Sequence, residues 1–422
     1  MARISAATFV GTTIEFYDFF IYGTATALIF GKVFFANLNA LNGLLASFSV
    51  YAVAFFARPF GAVFFGHFGD RYGRKSVLVV SMLLMGLSTA SIGVLPGYMS
   101  WGVWAPVALV FFRFLQGFTL GGEWGGAAML ASEHSPFTRR GHYAAYLQLG
   151  LCAGFILATG MFWILSGSLP ESEFVAWGWR LAFLVSVLLV AVGLFIRLRV
   201  PETPAFRSVV ARGGISRFPI RDLIRCNRRE LLLATGMLLS TYVVYYASTT
   251  YTLAYATKNL GVSRNLILGI LLAATCIMAG AVWLGATKSD MHGRRRVSLV
   301  GATATVVWAP LLFPLLDTRQ SVPMLVALSG MLGSTGLLYG AVGAYMPELF
   351  PTSVRYTGAS LSYNLGGVVG GATTPLVATQ LTRSFGSMTV GWYMAAVGLV
   401  SLSCVWALPE TRNRDLYASS VE

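Results

Sequence analysis

Twelve runs of mostly apolar residues alternate with short polar turns along the chain. They fall at 8–30, 43–66, 77–97, 104–132, 143–166 and 179–199, then at 231–256, 264–286, 297–316, 322–346, 358–381 and 388–408. A helix of roughly 20 apolar residues crosses the hydrocarbon core of a bilayer, so each run reads as a membrane span. The two sets of six are separated by 200–230, an arginine-rich stretch broken by Pro201, Pro204, Gly213, Gly214 and Pro219. The pattern predicts an all-α membrane protein of twelve transmembrane helices in two six-helix bundles. The N-terminal bundle covers 1–199 and the C-terminal bundle 231–422, with a basic cytoplasmic linker over 200–230 whose short helices lie on the bilayer.

Composition strengthens this reading. Of 422 residues, 56% are hydrophobic and 11% charged, where an ordinary soluble domain has about 25% charged. The mean hydropathy is +0.69, more apolar surface than a soluble interior can hide. The 46 glycines follow no Gly-x-y period and there are 4 cysteines, which excludes collagen and disulfide scaffolds. A net charge of +14 would suit nucleic acid, but its placement does not. With the helices laid out, 22 of the 30 Lys and Arg fall on the side holding both termini, six on the other, and two, Arg58 and Arg113, inside spans. This positive-inside asymmetry puts both termini in the cytoplasm, with acidic lipid headgroups facing the linker and no nucleic-acid partner. The expected place is a plasma membrane, the inner one in a bacterium.

Cys152, Cys226, Cys276 and Cys404 have no metal or CxxC spacing, and His67, His134, His142 and His292 all lie at cytoplasmic helix ends. No metal, cofactor or catalytic residue is expected, and Glu15 and Asp18 in the first run argue against a cleaved signal peptide.

The two halves repeat. Gly69-Asp70-Arg71-Tyr72-Gly73-Arg74-Lys75 after helix 2 corresponds to Ser289-Asp290-Met291-His292-Gly293-Arg294-Arg295 after helix 8. Glu133 with Arg140 corresponds to Glu348 with Arg355, and Pro201-Glu202-Thr203 to Pro409-Glu410-Thr411. Three landmarks in one order, at offsets of 220, 215 and 208 residues, indicate duplication, a symmetry found in transporters that rock around a central site.

The segment Gly66 to Lys75 resembles the loop 2–3 signature of the major facilitator superfamily, and Arg113-x-x-x-Gly117-x-x-x-Gly121 its helix 4 motif. Within the superfamily the chain resembles the metabolite:H⁺ symporters, among them transporters of shikimate, 2-oxoglutarate, citrate and proline/betaine. Gly11 to Phe19, Arg58-Pro59-Phe60-Gly61 and Gly117 to Trp124 carry that likeness. A monomer in the bilayer is expected, and the resemblance implies the major facilitator fold, a small-molecule substrate moved with H⁺, and a cytoplasmic charge cluster that holds the outward-open state. Asp70, Arg71, Arg74, Glu133, Arg140 and Glu202 would form it in one half, and Asp290, Arg294, Glu348, Arg355 and Glu410 in the other. The alternative is that these basic residues only set topology, since exposed ion pairs are individually worth about 0–1 kcal/mol.

Glu15, Asp18, Arg58, Arg113 and Glu123 fall inside spans, where each needs a partner or a watery cavity. At ~1.5 Å per residue, Asp18 and Arg113 both reach the midplane. Their pairing is the expected proton-coupling contact, as separating them would let Asp18 take up a proton. Sugar-transporting relatives use a comparable helix 1 Asp and helix 4 Arg. A permanent ion pair holding two helices together is the competing reading. Glu15 lies one turn away, and a second cluster could join Arg58 to Glu15 or Glu123, so the titrating acid stays open among Asp18, Glu15 and Glu123.

Helices 1, 4, 7 and 10 line the cavity in this architecture. Helix 7 offers Tyr242, Tyr245, Tyr246 and Thr249 on one face, with Tyr251 and Tyr255 further out, where lipid-interface or packing roles compete. Tyr17, Tyr22, Gln116, Trp124, Gln148, Tyr339, Tyr363 and Asn364 complete a polar, aromatic set suited to a small polar solute. Arg113 or Arg58 would hold a carboxylate, which favours an organic acid. The tyrosines would instead cage a quaternary ammonium, which favours a zwitterionic osmolyte. The chain ends thirteen residues after Pro409 without heptads. Osmosensing relatives carry a coiled-coil tail, so the balance moves towards the organic acid. No HExxH, nucleophile elbow or Walker loop supports an enzyme or an ATP-driven pump. A channel or a non-transporting sensor of this fold remains as a rival from another class.

Overall fold

A computed structural model describes residues 2–72, 74–133, 135–199, 219–351 and 354–414. Among them there are helices and turns but no strand. The N-terminal half holds α1 (Ala2–Ala25, continued by a wide π turn at Thr26–Phe30 and by Gly31–Val33), α2 (Ala40–Tyr72), α3 (Arg74–Val94), α4 (Trp104–Leu120, resumed as Glu123–Glu133), α5 (Arg140–Ser168) and α6 (Trp179–Arg199, entered through a π turn at Phe174–Gly178). A short helix, Pro219–Cys226, precedes the second half. There follow α7 (Arg228–Tyr246, a π turn at Ala247–Tyr251, then Thr252–Lys258), α8 (Arg264–His292), α9 (Arg294–Asp317), α10 (Ser321–Leu349), α11 (Arg355–Gly366, a π turn at Gly367–Ala372, then Thr374–Phe385) and α12 (Met388–Ala407).

Nine of these, all but α1, α3 and α11, are long and apolar enough on their own to cross a membrane among the described residues. The exceptions have local causes. α1 carries Glu15 and Asp18, and the first part of α11 carries Arg355, Ser360, Ser362 and Asn364. The described apolar part of α3 is only Val79–Val94. Polar helices can sit in a bilayer when other helices cover them.

Packing repeats with a shift of six helices. In the first half α1 packs on α5, α2 on α4, and α3 on α6; in the second α7 packs on α11, α8 on α10, and α9 on α12. The halves meet mainly through α5 on α8 and α2 on α11, which are the same contact under that shift. Small residues make the close crossings. A Cβ at Gly117 would collide with the backbone of Ala54, and one at Gly121 with the backbone of Arg58, so α4 lies directly on α2. Gly336 and Gly340 on α10 meet Met278 and Val282 of α8 in the same way. Association through small residues four apart is the usual solution where apolar surface is on both sides of the choice.

Four of the runs are not regular helices throughout: besides the π turns within helix 1 (Thr26–Phe30) and helix 7 (Ala247–Tyr251), helices 4 and 11 depart from the pattern. Helix 4 is not continuous over 104–132 but breaks at Gly121–Gly122, and helix 11 does not run evenly over 358–381 but loosens into a π turn at Gly367–Ala372. Glycine clusters permit both departures: the break in α4 faces the first part of α11, and the π turn of α11 lies against α2 and α7.

Candidate transport site

The site is built where α1, α2, α4, α7, α10 and α11 converge. Direct contact of α4 with α2 brings Arg113 and Arg58 to one layer. The Arg113 guanidinium carbon lies 4.4 Å from the ring centre of Phe19, 4.0 Å from Tyr22 and 4.8 Å from Tyr51. That of Arg58 lies 4.5 Å from Phe19 and 4.6 Å from Phe55. Both arginines are buried, at 0% and 2% exposure. Among the described residues neither forms an ion pair.

The Asp18–Arg113 contact expected from depth is not made in this conformation. Arg113 Nη1 donates instead to Gln116 Oε1 (3.1 Å), and Gln116 Nε2 donates to Thr89 Oγ1 of α3 (2.7 Å). Asp18 faces the hydroxyls of Thr89 and Ser186, and neither of its oxygens closes a hydrogen bond. The reason is azimuth: successive residues of a helix are 100° apart. Phe19, about 100° round α1 from Asp18, meets Arg113, and Tyr22 meets it one turn further along, while Asp18 points to Thr89 of α3 and Ser186 of α6. Gln116 and Thr89 thus stand between the two expected partners. The Arg58 pairing with Glu15 or Glu123 is also absent from the ion pairs of the described residues, and the Glu123 side chain lies outside them.

The tyrosines of α7 do face the seam. Tyr246 packs edge-on to Phe55 (5.3 Å between ring centres) and Tyr51 (5.9 Å), Tyr245 against Phe20 (5.5 Å), and Tyr242 against Tyr363 (5.4 Å). The hydroxyls of Tyr339 and Tyr363 are 3.2 Å apart. Gln148 Nε2 of α5 donates to the Tyr339 carbonyl of α10 (2.8 Å). The break in α4 releases two carbonyls, and α11 answers both: Asn364 Nδ2 donates to Gly121 O (3.1 Å) and the Tyr356 hydroxyl to Gly122 O (2.9 Å). Trp124 lies flat on Tyr363.

Tyr17 is not part of this group. Its hydroxyl donates to the Ala182 carbonyl of α6 (2.8 Å), a tie within the first half. Tyr251 and Tyr255 turn to helix packing, bonded to Thr382 and Asp317. Phe19, Tyr51, Phe55 and Thr89 were missed in the sequence. The spacing of Tyr51, Phe55 and Arg58 at i, i+4 and i+7 marks one face of α2 and could have found two of them; nothing local singles out Thr89.

At the end of the bundle that holds the α8–α9 turn, Asp290, Arg294, Glu348 and Glu410 of the second half form a charge cluster. Arg294 binds Glu348 (Nε to Oε2 3.2 Å, Nη2 to Oε1 3.3 Å) and Asp290 (Nη1 to Oδ1 2.6 Å). Glu410 accepts from the backbone N–H of Arg294 (2.8 Å) and Arg295 (3.1 Å). α8 and α9 are joined only by Gly293, at φ +100° and against the Glu410 carboxylate, a position no other residue fills without strain. The cluster crosses to the first half: Asp290 accepts from the backbone N–H of Gly141 and His142 (2.8 Å each), and Arg140 lies 3.7 Å from Glu348. A carboxylate there caps the start of α5 and meets its dipole. Arg355 donates to the carbonyls of Pro347 and Phe350. The side chains of Asp70, Arg71, Arg74 and Glu133, and all of Glu202, lie outside the described residues. At the opposite end Arg264 reaches across to Glu171 (2.7 Å), which also meets Lys32 (3.4 Å). The central residues are therefore enclosed from both sides.

Comparison with known proteins agrees with this architecture. A family model described as sugar (and other) transporter matches residues 4–217 and again 215–422. The chain is 40% identical to the inner membrane metabolite transport protein YhjE of Escherichia coli K12, over 98% of this chain and 95% of that one. It is 34% identical to the shikimate transporter of the same organism (98% and 94% covered) and 33% to its proline/betaine transporter (98% and 84%). Its fold matches that of the Escherichia coli xylose transporter XylE in a partially occluded inward open conformation, with a TM-score of 0.78 at 18% identity over 98% of this chain and 99% of that one.

Proposed function

The chain belongs to the sugar (and other) transporter family of the major facilitator superfamily, and we propose that it is a proton-coupled symporter of a small organic acid. As a member of that family it is a multi-pass membrane transporter and not an enzyme. The observation that carries the finer reading is Arg113: wholly buried, clasped by aromatic faces, hydrogen-bonded to Gln116, and without an acid among the described residues. A buried guanidinium in that state is a receptor for a carboxylate.

Alternating access would rock the bundle over 1–199 against the bundle over 231–422, with the basic linker and both termini in the cytoplasm of a plasma membrane and the monomer as the working unit. The proton would ride on Asp18, whose carboxylate oxygens close no hydrogen bond and face Thr89, the residue that Gln116 links to Arg113. The tyrosine group favours a second reading, a zwitterionic osmolyte held by cation–π contacts, and one relative is a proline/betaine transporter.

Uptake into proteoliposomes under an imposed pH gradient separates these. An acidic outside should drive accumulation of an organic acid and leave proline and betaine outside. Accumulation of the zwitterions alone would overturn the organic-acid reading, and inhibition by external acid would turn symport into antiport.

A further inference from the structure

Among the described residues neither of two buried guanidiniums, Arg58 and Arg113, has a counter-charge. Arg58 and Arg113 have no hydrogen bond at Nε or at Nη2. Those two nitrogens form one edge of the guanidinium fork, the edge that grips a carboxylate through two parallel N–H groups. The same edge is vacant on both side chains. Phe19 ties them together: each guanidinium carbon lies within 4.5 Å of its ring centre, so the two carbons are at most about 9 Å apart, close to the Debye length of physiological salt.

The surrounding rings do not neutralise the pair. A cation–π contact is worth about 0.5–2 kcal/mol, and leaving an ion buried without a partner costs several. Asp18 is turned to Thr89 and Ser186. A monocarboxylate bound at Arg113 would leave Arg58 in the same uncompensated state. The Tyr22 and Tyr51 hydroxyls, also buried without a partner, add donors in the same layer and no acceptor charge.

We propose that Arg58 and Arg113 form a two-point anion site, and that the transported substrate is a short dicarboxylate held at both ends. This rests on the organic-acid reading above and narrows it. Both carboxylates bind as anions, and no bond is made or broken.

The test is counterflow in proteoliposomes holding the full chain, with labelled diacids of three to six carbons set beside the half-amide and the monocarboxylate of equal length. At equal concentration the best diacid should exchange at least tenfold faster than its half-amide. Arg58→Gln should bring that ratio to within about twofold, and Arg58→Lys should keep most of it. The wild-type ligand series stands even if a variant fails to fold. Equal exchange of diacid and half-amide, or carriage of monocarboxylates alone, overturns the two-point site and leaves organic-acid symport in place. No binding or exchange of any diacid in the series also overturns it. Carriage of proline or betaine with no anion overturns both.

Discussion

Trp124 of the first half and Tyr363 of the second lie face to face, ring centres 3.9 Å apart and planes 6° from parallel. The stack sits between Arg113 and the end that holds the charge cluster, just past the break in α4, and Tyr363 continues it to Tyr242 and Tyr339. As a closure it would part between flat surfaces without leaving a charge exposed. An aromatic pair contributes about 0.5–1.5 kcal/mol beyond the area it buries.

Removing the indole should therefore open the inner side. A cysteine placed at buried Ser360, beside the chain at Gly125, should react several-fold faster with a cytoplasmic thiol reagent in Trp124→Ala than in wild type. Trp124→Phe keeps a ring on Tyr363 and should stay near the wild-type rate. Equal rates in all three would mean that the stack does not control access.

The charge cluster below it should act in the same direction with more force. Asp290 accepts two backbone N–H groups of α5 and pairs with Arg294, and Glu348 gathers Arg294, Arg140 and Thr411. Hydrogen bonds to charged groups contribute roughly 1.5–3 kcal/mol each. Asp290→Asn should shift the closed-to-open ratio at the cytoplasmic end by at least tenfold, and Glu348→Gln by more. Spin-label distances between the inner ends of α5 and α8 report this directly, and distributions unchanged in both variants would rule out a latch.

Much of the fold could be read from the sequence because a lipid-facing span leaves a long apolar run, and because the turn motifs recur in order. The breaks in α4 and α11 left no such mark, since glycine serves a tight crossing and a helix break equally well. Gly336 and Gly340 repeat the role of Gly117 and Gly121, a symmetry hidden among the 46 glycines of the chain. For the site, counting residues fixes depth and not direction. Counting puts Asp18 and Arg113 at similar depth, but whether they touch depends on which way their side chains leave the helices. Tyr17 failed for the same reason: one residue from Asp18, it faces α6.

The α2–α4 crossing sets the distance between the two arginines, so it should be sensitive to a single methyl group. At Gly117 a Cβ would strike the Ala54 backbone, which cannot rotate away as a side chain can. Overpacking of this kind typically costs about 1–3 kcal/mol, and more where backbone must move. Gly117→Val should lower the thermal unfolding temperature of the purified protein, while Gly280→Val, where a Cβ meets nothing within 4 Å, should leave it unchanged. Similar behaviour of the two would refute the close crossing.

Proton coupling gives the sharpest separation of roles. Asp18 is 1% exposed and makes no hydrogen bond, yet Thr89, which it faces, bonds to Gln116, and Gln116 bonds to Arg113. An anion taking the free edge of Arg113 would draw on the same guanidinium that Gln116 holds, so substrate binding and the surroundings of Asp18 are linked through an amide. A permanently neutral side chain at 18 would keep the linkage but lose the proton. Asp18→Asn should abolish accumulation driven by a pH gradient while counterflow continues within about threefold of wild type, and its exchange rate should be flat with pH. Gln116→Leu breaks the chain in the middle, and should weaken the pH dependence without removing it. Accumulation that persists in Asp18→Asn would show that the proton travels on another acid, with Glu15 next in line one turn along the same helix.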